Sequence, residues 1–218
     1  MGDIIDINIE TVLEEVTIIS EPNEYVININ QIQGPQGPTG PQGPAGVAGS
    51  PGLYAQTALS TPVVYASGEA SLIGAGVGTL SVPANAFKVG DSFVAKMCGK
   101  LTNANNEILH FRVRSNGVVI IDALQYTLPT CTNKFFDLIL DFTIAKIGGA
   151  GVAELFANGV FTHNKNASNA LEGVNFGLVS NTVFDTTVSN TLTITAEWVT
   201  SNVANTIRSQ NFTLTKIY

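Results

Sequence analysis

Hydrophobic and polar residues alternate over most of residues 55–218, in short runs separated by Gly, Asn and Pro. Alternation with a period of two is typical of strands that bury one face, and no helical period of comparable strength competes with it. The candidate strands are 61–66, 78–82, 92–101, 108–114, 118–123, 135–147, 152–162, 174–179, 191–200 and 211–218. Their spacing predicts an all-β, antiparallel β-sandwich that is jelly-roll-like.

The parity of the apolar positions assigns the two faces of the clearest strands. In the strand from residue 135, the residues predicted to point inward are Phe136, Leu138, Leu140, Phe142 and Ile144. The inward set of 108–114 is Leu109, Phe111 and Val113, and that of 191–200 is Leu192, Ile194, Ala196 and Trp198. Asn116-Gly117 follows the second of these strands and predicts a type I′ hairpin turn.

A glycine repeat precedes this domain. Every third residue is glycine over seven triplets: Gly34, Gly37, Gly40, Gly43, Gly46, Gly49 and Gly52. Only glycine fits the axis where three polyproline-II chains meet, so the repeat predicts a collagen triple helix over residues 34–54 and a homotrimer. The stalk would span roughly 60 Å and is too short to hold three chains by itself, so a trimerising domain is expected beside it. A flexible Gly/Pro linker is the alternative reading.

Residues 1–33 contain shorter alternating runs. The apolar positions are Ile5, Ile7 and Ile9, then Val16 and Ile18, then Tyr25, Ile27 and Ile29. Strands this short bury little surface by themselves. We therefore expect them either to pair between the three chains or to dock on the sheet edge of another protein.

The negative charge is confined to the first segment. Residues 1–33 carry seven acids and no Lys or Arg, residues 34–54 carry no charge, and residues 55–218 carry ten acids and ten bases, which accounts for the net charge of -7. An acidic arm and a neutral domain argue against nucleic acid as a partner. No apolar stretch reaches the roughly 20 residues of a membrane span, so no membrane insertion is expected.

The beginning of the chain is acidic and lacks the apolar core of a signal peptide, which predicts synthesis in a cytoplasm without a cleaved leader.

Cys98 and Cys131 have no neighbouring Cys or His at metal-binding spacing. They are expected to be two unrelated thiols, with a disulfide as the alternative.

Few residues are candidates for chemistry. Asp137 and Asp141 lie about 13 Å apart at strand rise, beyond the separations of ~5 Å and ~6.5–9.5 Å that glycosidases use. His163 falls in a predicted turn; three copies on a trimer axis would be needed to bind one ion. No catalytic, cofactor or metal site is therefore expected.

One basic surface is a possible ligand face. Its residues have outward parity on two strands that would have to be neighbours: Lys96, Lys100, His110, Arg112 and Arg114. It would suit acidic glycans, whereas an ordinary outer face of mixed charge is the alternative. Cys98 shares this parity and is an alternative contact with a neighbouring subunit.

The arm resembles N-terminal segments of virion fibre proteins of crAss-like and related tailed phages. The resemblance lies in Asp-Ile-Ile-Asp-Ile-Asn-Ile-Glu (3–10), the Val-Thr-Ile run (16–18) and Tyr-Val-Ile-Asn-Ile-Asn (25–30). It implies that residues 1–33 attach a fibre to a capsid or tail protein, with the alternating apolar residues as the anchoring set.

Residues 55–218 resemble the globular modules of the same virion proteins. The resembling stretches are 80–91 (Leu-Ser-Val-Pro-Ala-Asn-Ala-Phe-Lys-Val-Gly-Asp), 142–151 and 194–198. The resemblance implies a non-enzymatic protein on the outer surface of the virion, with a trimeric knob (55–218) for adhesion to a host receptor or glycan. A head fibre is favoured over a tail fibre because no long shaft repeat is present.

Two other classes stay open. A secreted recognition protein of the C1q or tumour-necrosis-factor type also joins a collagen stem to a jelly-roll trimer. A glycan-cleaving depolymerase would need a pair of carboxylates that the sequence does not offer.

The triple helix is tested by Gly43→Ala. A methyl group at the crowded axis is expected to lower the melting temperature of the trimer and to speed proteolysis of residues 34–54, because it disrupts the packing of the three chains. The measurements are thermal unfolding and timed digestion of the full chain, with Ala45→Ser as the control. Unchanged behaviour of the glycine variant contradicts the triple helix.

Overall fold

The alternating segments form strands in a computed structural model that describes residues 52–166, 168–178 and 183–218. Thirteen strands lie within these residues, together with a 3₁₀ turn at Tyr65–Ser67. The strands are β1 (Tyr54–Gln56), β2 (Val63–Val64), β3 (Ala70–Ser71), β4 (Gly76–Gly78), β5 (Ser81–Val82), β6 (Ser92–Asn103), β7 (Glu107–Ser115), β8 (Val118–Leu128), β9 (Cys131–Lys146), β10 (Glu154–Asn164), β11 (Leu171–Leu178), β12 (Asn190–Trp198) and β13 (Thr206–Lys216). The arm (1–33) and the repeat from Gly34 to Gly49 lie outside the described residues.

The strands pair into two antiparallel sheets. The eight-stranded sheet has the order β11-β10-β9-β6-β13-β1-β4, with β2 also paired to β13. The five-stranded sheet has the order β3-β12-β7-β8, with β5 also paired to β12. The predicted all-β, antiparallel class is thereby confirmed, and the two sheets fit a β-sandwich.

The core lies between the sheets and follows the predicted parity. All five inward residues of β9 are buried, and so are Leu109, Phe111 and Val113 of β7. Phe161 of β10 is fully buried; its ring centroid lies 4.7 Å from that of Phe111 and 5.9 Å from that of Phe136. Since Phe111 belongs to the smaller sheet and Phe136 to the larger, this aromatic cluster joins the two layers.

The long predicted strands are confirmed, and the short elements differ. The segment 61–66 yields only β2 before the chain turns, and 78–82 divides between the end of β4 and β5. β1 and β3 were not predicted, because two or three residues are too few to display an alternation. The Asn116-Gly117 turn is confirmed, since both residues have positive φ, 48° and 80°, as a type I′ turn requires.

The chain enters the larger sheet directly after the last glycine of the repeat. The Leu53 amide donates to the Leu214 carbonyl at 2.7 Å, and the Thr79 amide donates to the Leu53 carbonyl at 2.7 Å. We call this side of the sandwich the Leu53 end. Leu214 lies eight positions after Thr206 in β13, so the opposite end, the far end, lies about 26 Å away. The far end carries the β6–β7, β8–β9, β10–β11 and β12–β13 connections.

Phe161→Ala tests the junction between the sheets. Removing a fully buried ring that contacts aromatic residues of both sheets is expected to lower the free energy of unfolding by about 3–5 kcal/mol. Chemical denaturation of the full chain measures this loss. The control, Val203→Ala, changes a side chain that is 84% exposed and should stay within about 0.5 kcal/mol of the native chain. Equal effects of the two variants would contradict the assigned core.

Candidate functional site

The possible ligand face is divided between the two sheets. Lys96 and Lys100 lie on β6, between β9 and β13 of the larger sheet, whereas the other three residues lie on β7, between β12 and β8 of the smaller one. β6 and β7 are therefore not neighbours within a sheet, and the condition for a single basic face is not met. The structure brings together only His110, Arg112 and Arg114.

These two arginines are already bound to carboxylates. Arg114 donates two hydrogen bonds of 2.6 Å to Glu69, one from Nε to Oε1 and one from a terminal nitrogen to Oε2. Arg112 donates to Glu69 at 2.9 Å and to Glu197 at 2.6 Å. Thr195 adds a hydroxyl donor to Glu69 at 2.6 Å. The sequence signal for Glu197 was its outward parity on β12, but Glu69 precedes β3 in a loop, where no pattern pointed to it.

The pKa values follow from this geometry. The hydrogen bond from Arg114, followed by those from Thr195 and the charges of both arginines, outweighs the desolvation of Glu69 and lowers its pKa from 4.5 to about 2. The pKa of Arg112 is raised, chiefly by its hydrogen bond to Glu197, and that of Arg114 chiefly by its hydrogen bond to Glu69. An acidic glycan would have to displace these carboxylates, so the network is better suited to stabilise the outer surface than to bind an anion.

His110 is buried in the same network rather than exposed on an outer face. Its Nδ1 accepts a hydrogen bond from Arg112 at 2.9 Å, and its Nε2 lies 2.6 Å from Asp122 Oδ1. Because a guanidinium only donates, Nδ1 holds the lone pair and the hydrogen is on Nε2. His110 therefore bridges Arg112 to Asp122 and offers no free nitrogen to a ligand.

The lysines of β6 lie on the outer face of the larger sheet. The Lys100 ammonium is 4.9 Å from the centroid of the Phe135 ring, in a cation–π contact. Lys96 is exposed and stands directly opposite Ile139 of β9. Asp137 is exposed and Asp141 half-buried on this same face, in keeping with the outward parity predicted for both.

His163 does not lie in a turn, and that prediction is wrong. β10 continues through Asn164, and the histidine is fully buried with its Nδ1 3.5 Å from the sulfur of Cys131. Burial raises the pKa of the Cys131 thiol and lowers that of His163, so both groups are held neutral. A thiolate nucleophile is disfavoured in such surroundings.

Full burial also removes His163 from the proposed ion on a trimer axis, since its side chain offers no surface to another copy. Within the described ranges, no group of three or more His, Cys, Asp or Glu side chains is placed to hold a metal ion. Cys98 and Cys131 are both free, as predicted.

A cleft of about 90 Å³ opens between the sheets at the Leu53 end. Its wall is mainly apolar and includes Phe87, Phe93 and Phe184, whose rings meet edge to face at 5.7–6.0 Å. At one side Ser115 donates a hydrogen bond of 2.6 Å to Asn190, so the polar groups there are paired with each other.

The far end is held by a buried carboxylate. Glu107 accepts hydrogen bonds from the Thr200 hydroxyl, from Asn205 at 2.8 Å and from Asn202 at 3.0 Å. These donors, led by Thr200, lower the pKa of Glu107. The β12–β13 connection is thereby fastened to the beginning of β7. No sequence pattern identified this clamp, because its three donors follow β12 in a loop.

No protein-family model, curated protein or solved structure matches this chain. Among the described residues, no helix is long and apolar enough to cross a membrane.

The Glu69 network predicts a dependence of stability on pH. Because the pKa of Glu69 is depressed, its contribution is complete above the ordinary value of 4.5 and is lost as the pH falls toward about 2. Glu69→Gln should lower the free energy of unfolding by about 1–3 kcal/mol at pH 7, with solvent screening of a partly exposed side chain reducing the effect.

Denaturation of the native chain and the variant at pH 7, 5 and 3 measures the difference, which should shrink at the lowest pH. Glu154→Gln, which removes a carboxylate of the other sheet, is the control and should show a smaller loss at pH 7. A difference for Glu69→Gln that does not change with pH contradicts the assigned role of its carboxylate.

Proposed function

We propose that this chain is a homotrimeric structural fibre of a phage particle, a head fibre rather than a tail fibre. The acidic arm (1–33) attaches it to a capsid or tail protein, the collagen-like stalk (34–54) spaces it, and the β-sandwich knob (55–218) is displayed on the outer surface of the virion. The observation that carries the proposal is the order of these three segments, with seven unbroken glycine triplets between the arm and the sandwich.

The way in which the chain enters the sandwich supports this arrangement. Leu53 joins the larger sheet at one end by backbone hydrogen bonds, and the far end lies about 26 Å from it along β13. A fibre built in this way presents the far-end connections to its surroundings.

The chemistry of the far end is compatible with adhesion to host-surface glycans. Its exposed side chains are mainly amides and hydroxyls, including Asn105, Asn106, Thr130, Thr132, Asn133, Asn166, Ser168, Asn169 and Ser201. Such groups both donate and accept hydrogen bonds, as sugar hydroxyls require. This supports the far end, rather than the paired arginines of β7, as the adhesive surface, and three copies would raise a weak affinity through avidity.

The connections of the far end are also tied together. Asn166 accepts a hydrogen bond from the Thr132 amide at 2.9 Å and donates one to the Thr132 hydroxyl at 3.0 Å. The Lys134 ammonium donates to Asn169 at 2.5 Å. Preorganised loops lose less entropy when they bind, which suits a recognition surface.

The attachment role is tested by deletion of residues 1–33 in the phage. The truncated chain should still form a soluble trimer, because stalk and knob are intact, but its amount in purified particles should fall by about tenfold or more as the docking contacts are lost. Quantitative mass spectrometry of particles and size measurement of the purified chain give the two results.

A matched pair of point variants refines the test. Ile27→Asn places a polar group on the apolar side of an arm strand and should reduce incorporation, whereas Asn28→Ser changes the opposite side and should not. Normal incorporation of the deleted chain overturns the anchoring role. Absence of the native chain from purified particles overturns the virion proposal as a whole.

A further inference from the structure

Two buried asparagines lie side by side at the far end. Thr102 of β6 stands directly opposite Thr206 of β13, so the residues that come next toward the far end are Asn103 and Asn205. Their side chains are buried, 2% and 0% exposed respectively. Opposed positions on adjacent antiparallel strands have Cβ atoms about 4.5–5.5 Å apart, so the two amides share one small space.

The orientation of each amide is fixed by the partners of its nitrogen. Asn103 Nδ2 donates to one backbone carbonyl of the β6–β7 connection at 2.7 Å and to one of the β8–β9 connection at 2.8 Å. Asn205 Nδ2 donates to the Glu107 carboxylate at 2.8 Å and to the Thr200 carbonyl at 3.2 Å. All four partners only accept hydrogen bonds, so exchanging nitrogen and oxygen in either amide would set oxygen against oxygen.

The oxygens of the two amides are without donors. Asn103 Oδ1 and Asn205 Oδ1 are both buried, and neither accepts a hydrogen bond from the part of the chain that the structure describes. A buried acceptor that has lost water without gaining a partner is destabilising. Two such acceptors in one space therefore indicate a site for a group that binds oxygen.

Glu107 adds a negative charge beside these oxygens. Its buried carboxylate accepts hydrogen bonds from Thr200, Asn205 and Asn202, which lower its pKa and keep it ionised. These donors are neutral, and none of the ion pairs within residues 52–166, 168–178 and 183–218 includes Glu107. Because a buried charge without an opposite charge is costly, a cation suits this space better than a water molecule does.

We propose that the far end binds a calcium ion through Asn103 Oδ1 and Asn205 Oδ1, with Glu107 as the balancing charge. We call these three residues the far-end oxygen site. Its polar atoms that face the ion are oxygens, and amide carbonyls with a carboxylate are common ligands of Ca²⁺. Mg²⁺ fits less well, because it demands near-octahedral geometry and gives up its waters reluctantly.

The far-end oxygen site contains one carboxylate, so its affinity is expected to be low. A dissociation constant of about 10⁻⁴–10⁻³ M is typical of extracellular calcium-binding modules. The ion would join the connections of the far end, since Asn103 and Glu107 flank the β6–β7 connection and Asn205 ends the β12–β13 connection. The site lies within one chain and does not depend on the trimer or on the virion role.

Thermal unfolding of the full chain tests the proposal, after EDTA treatment and dialysis have removed divalent cations. Addition of 10 mM CaCl₂ alone should raise the melting temperature by roughly 3–6 °C at the expected affinity. MgCl₂ at the same concentration should give less than half of that rise. An unchanged melting temperature in CaCl₂, or an equal rise in MgCl₂, overturns the proposal.

Two variants remove the parts of the site separately. Asn103→Leu deletes one ligand oxygen and Glu107→Gln deletes the charge, so each should reduce the rise in CaCl₂ to less than half. The controls are Asn105→Ala, an exposed amide of the same connection, and Glu154→Gln on the larger sheet; both should keep the full rise. Fluorescence of buried Trp198 identifies the folded variants. A full rise in folded Asn103→Leu or Glu107→Gln overturns the proposal.

Hydrogen exchange of the native chain locates the ion without any substitution, which covers the case of a variant that fails to fold. At 10 mM CaCl₂, backbone amides of 103–107 and 200–206 should exchange about tenfold or more slowly, because the ion opposes local opening. Protection confined to other residues, such as the acidic arm (1–33), overturns the far-end oxygen site.

Discussion

The packing of the two sheets around Phe161 is the contact on which the remaining structure depends. Each antiparallel ladder satisfies its own backbone hydrogen bonds, but a sheet is stable only when one of its faces is removed from water. Phe161 meets Phe111 of the smaller sheet and Phe136 of the larger, so the period-two pattern of β7, β9 and β10 converges on one cluster. Once the inward faces are used in this way, the properties of the protein toward its surroundings are determined by the two outward faces and the two ends.

The outward faces of the two sheets differ in whether their charged side chains are paired. On the smaller sheet, Glu69 accepts hydrogen bonds from Arg114 and Arg112. These contacts lower the pKa of Glu69 and so favour its ionised form. Such a surface gains little from a partner, because a new contact must first break hydrogen bonds to charged groups. On the larger sheet, Asp137 and Lys96 are exposed and lie beside exposed Ile139. A contact on this second face would break no ion pair or side-chain hydrogen bond of these two residues.

The layer architecture and the buried faces of the long strands follow from local alternation. In β9, parity correctly predicts for each inward residue that its side chain is buried. The arrangement of strands within the sheets did not follow, because alternation contains no information on which strands are neighbours. Parity alone therefore assigns Lys96 and Arg112 the same outward direction and allows one surface, although the two residues lie in different sheets. His163 was misplaced for a different reason: the Asn residues after it indicate a turn, but the pairing with β9 and β11 extends the strand through Asn164. The role of Glu69 could not be predicted from the sequence, because a loop residue acquires its partners only from the strands that pack beside it.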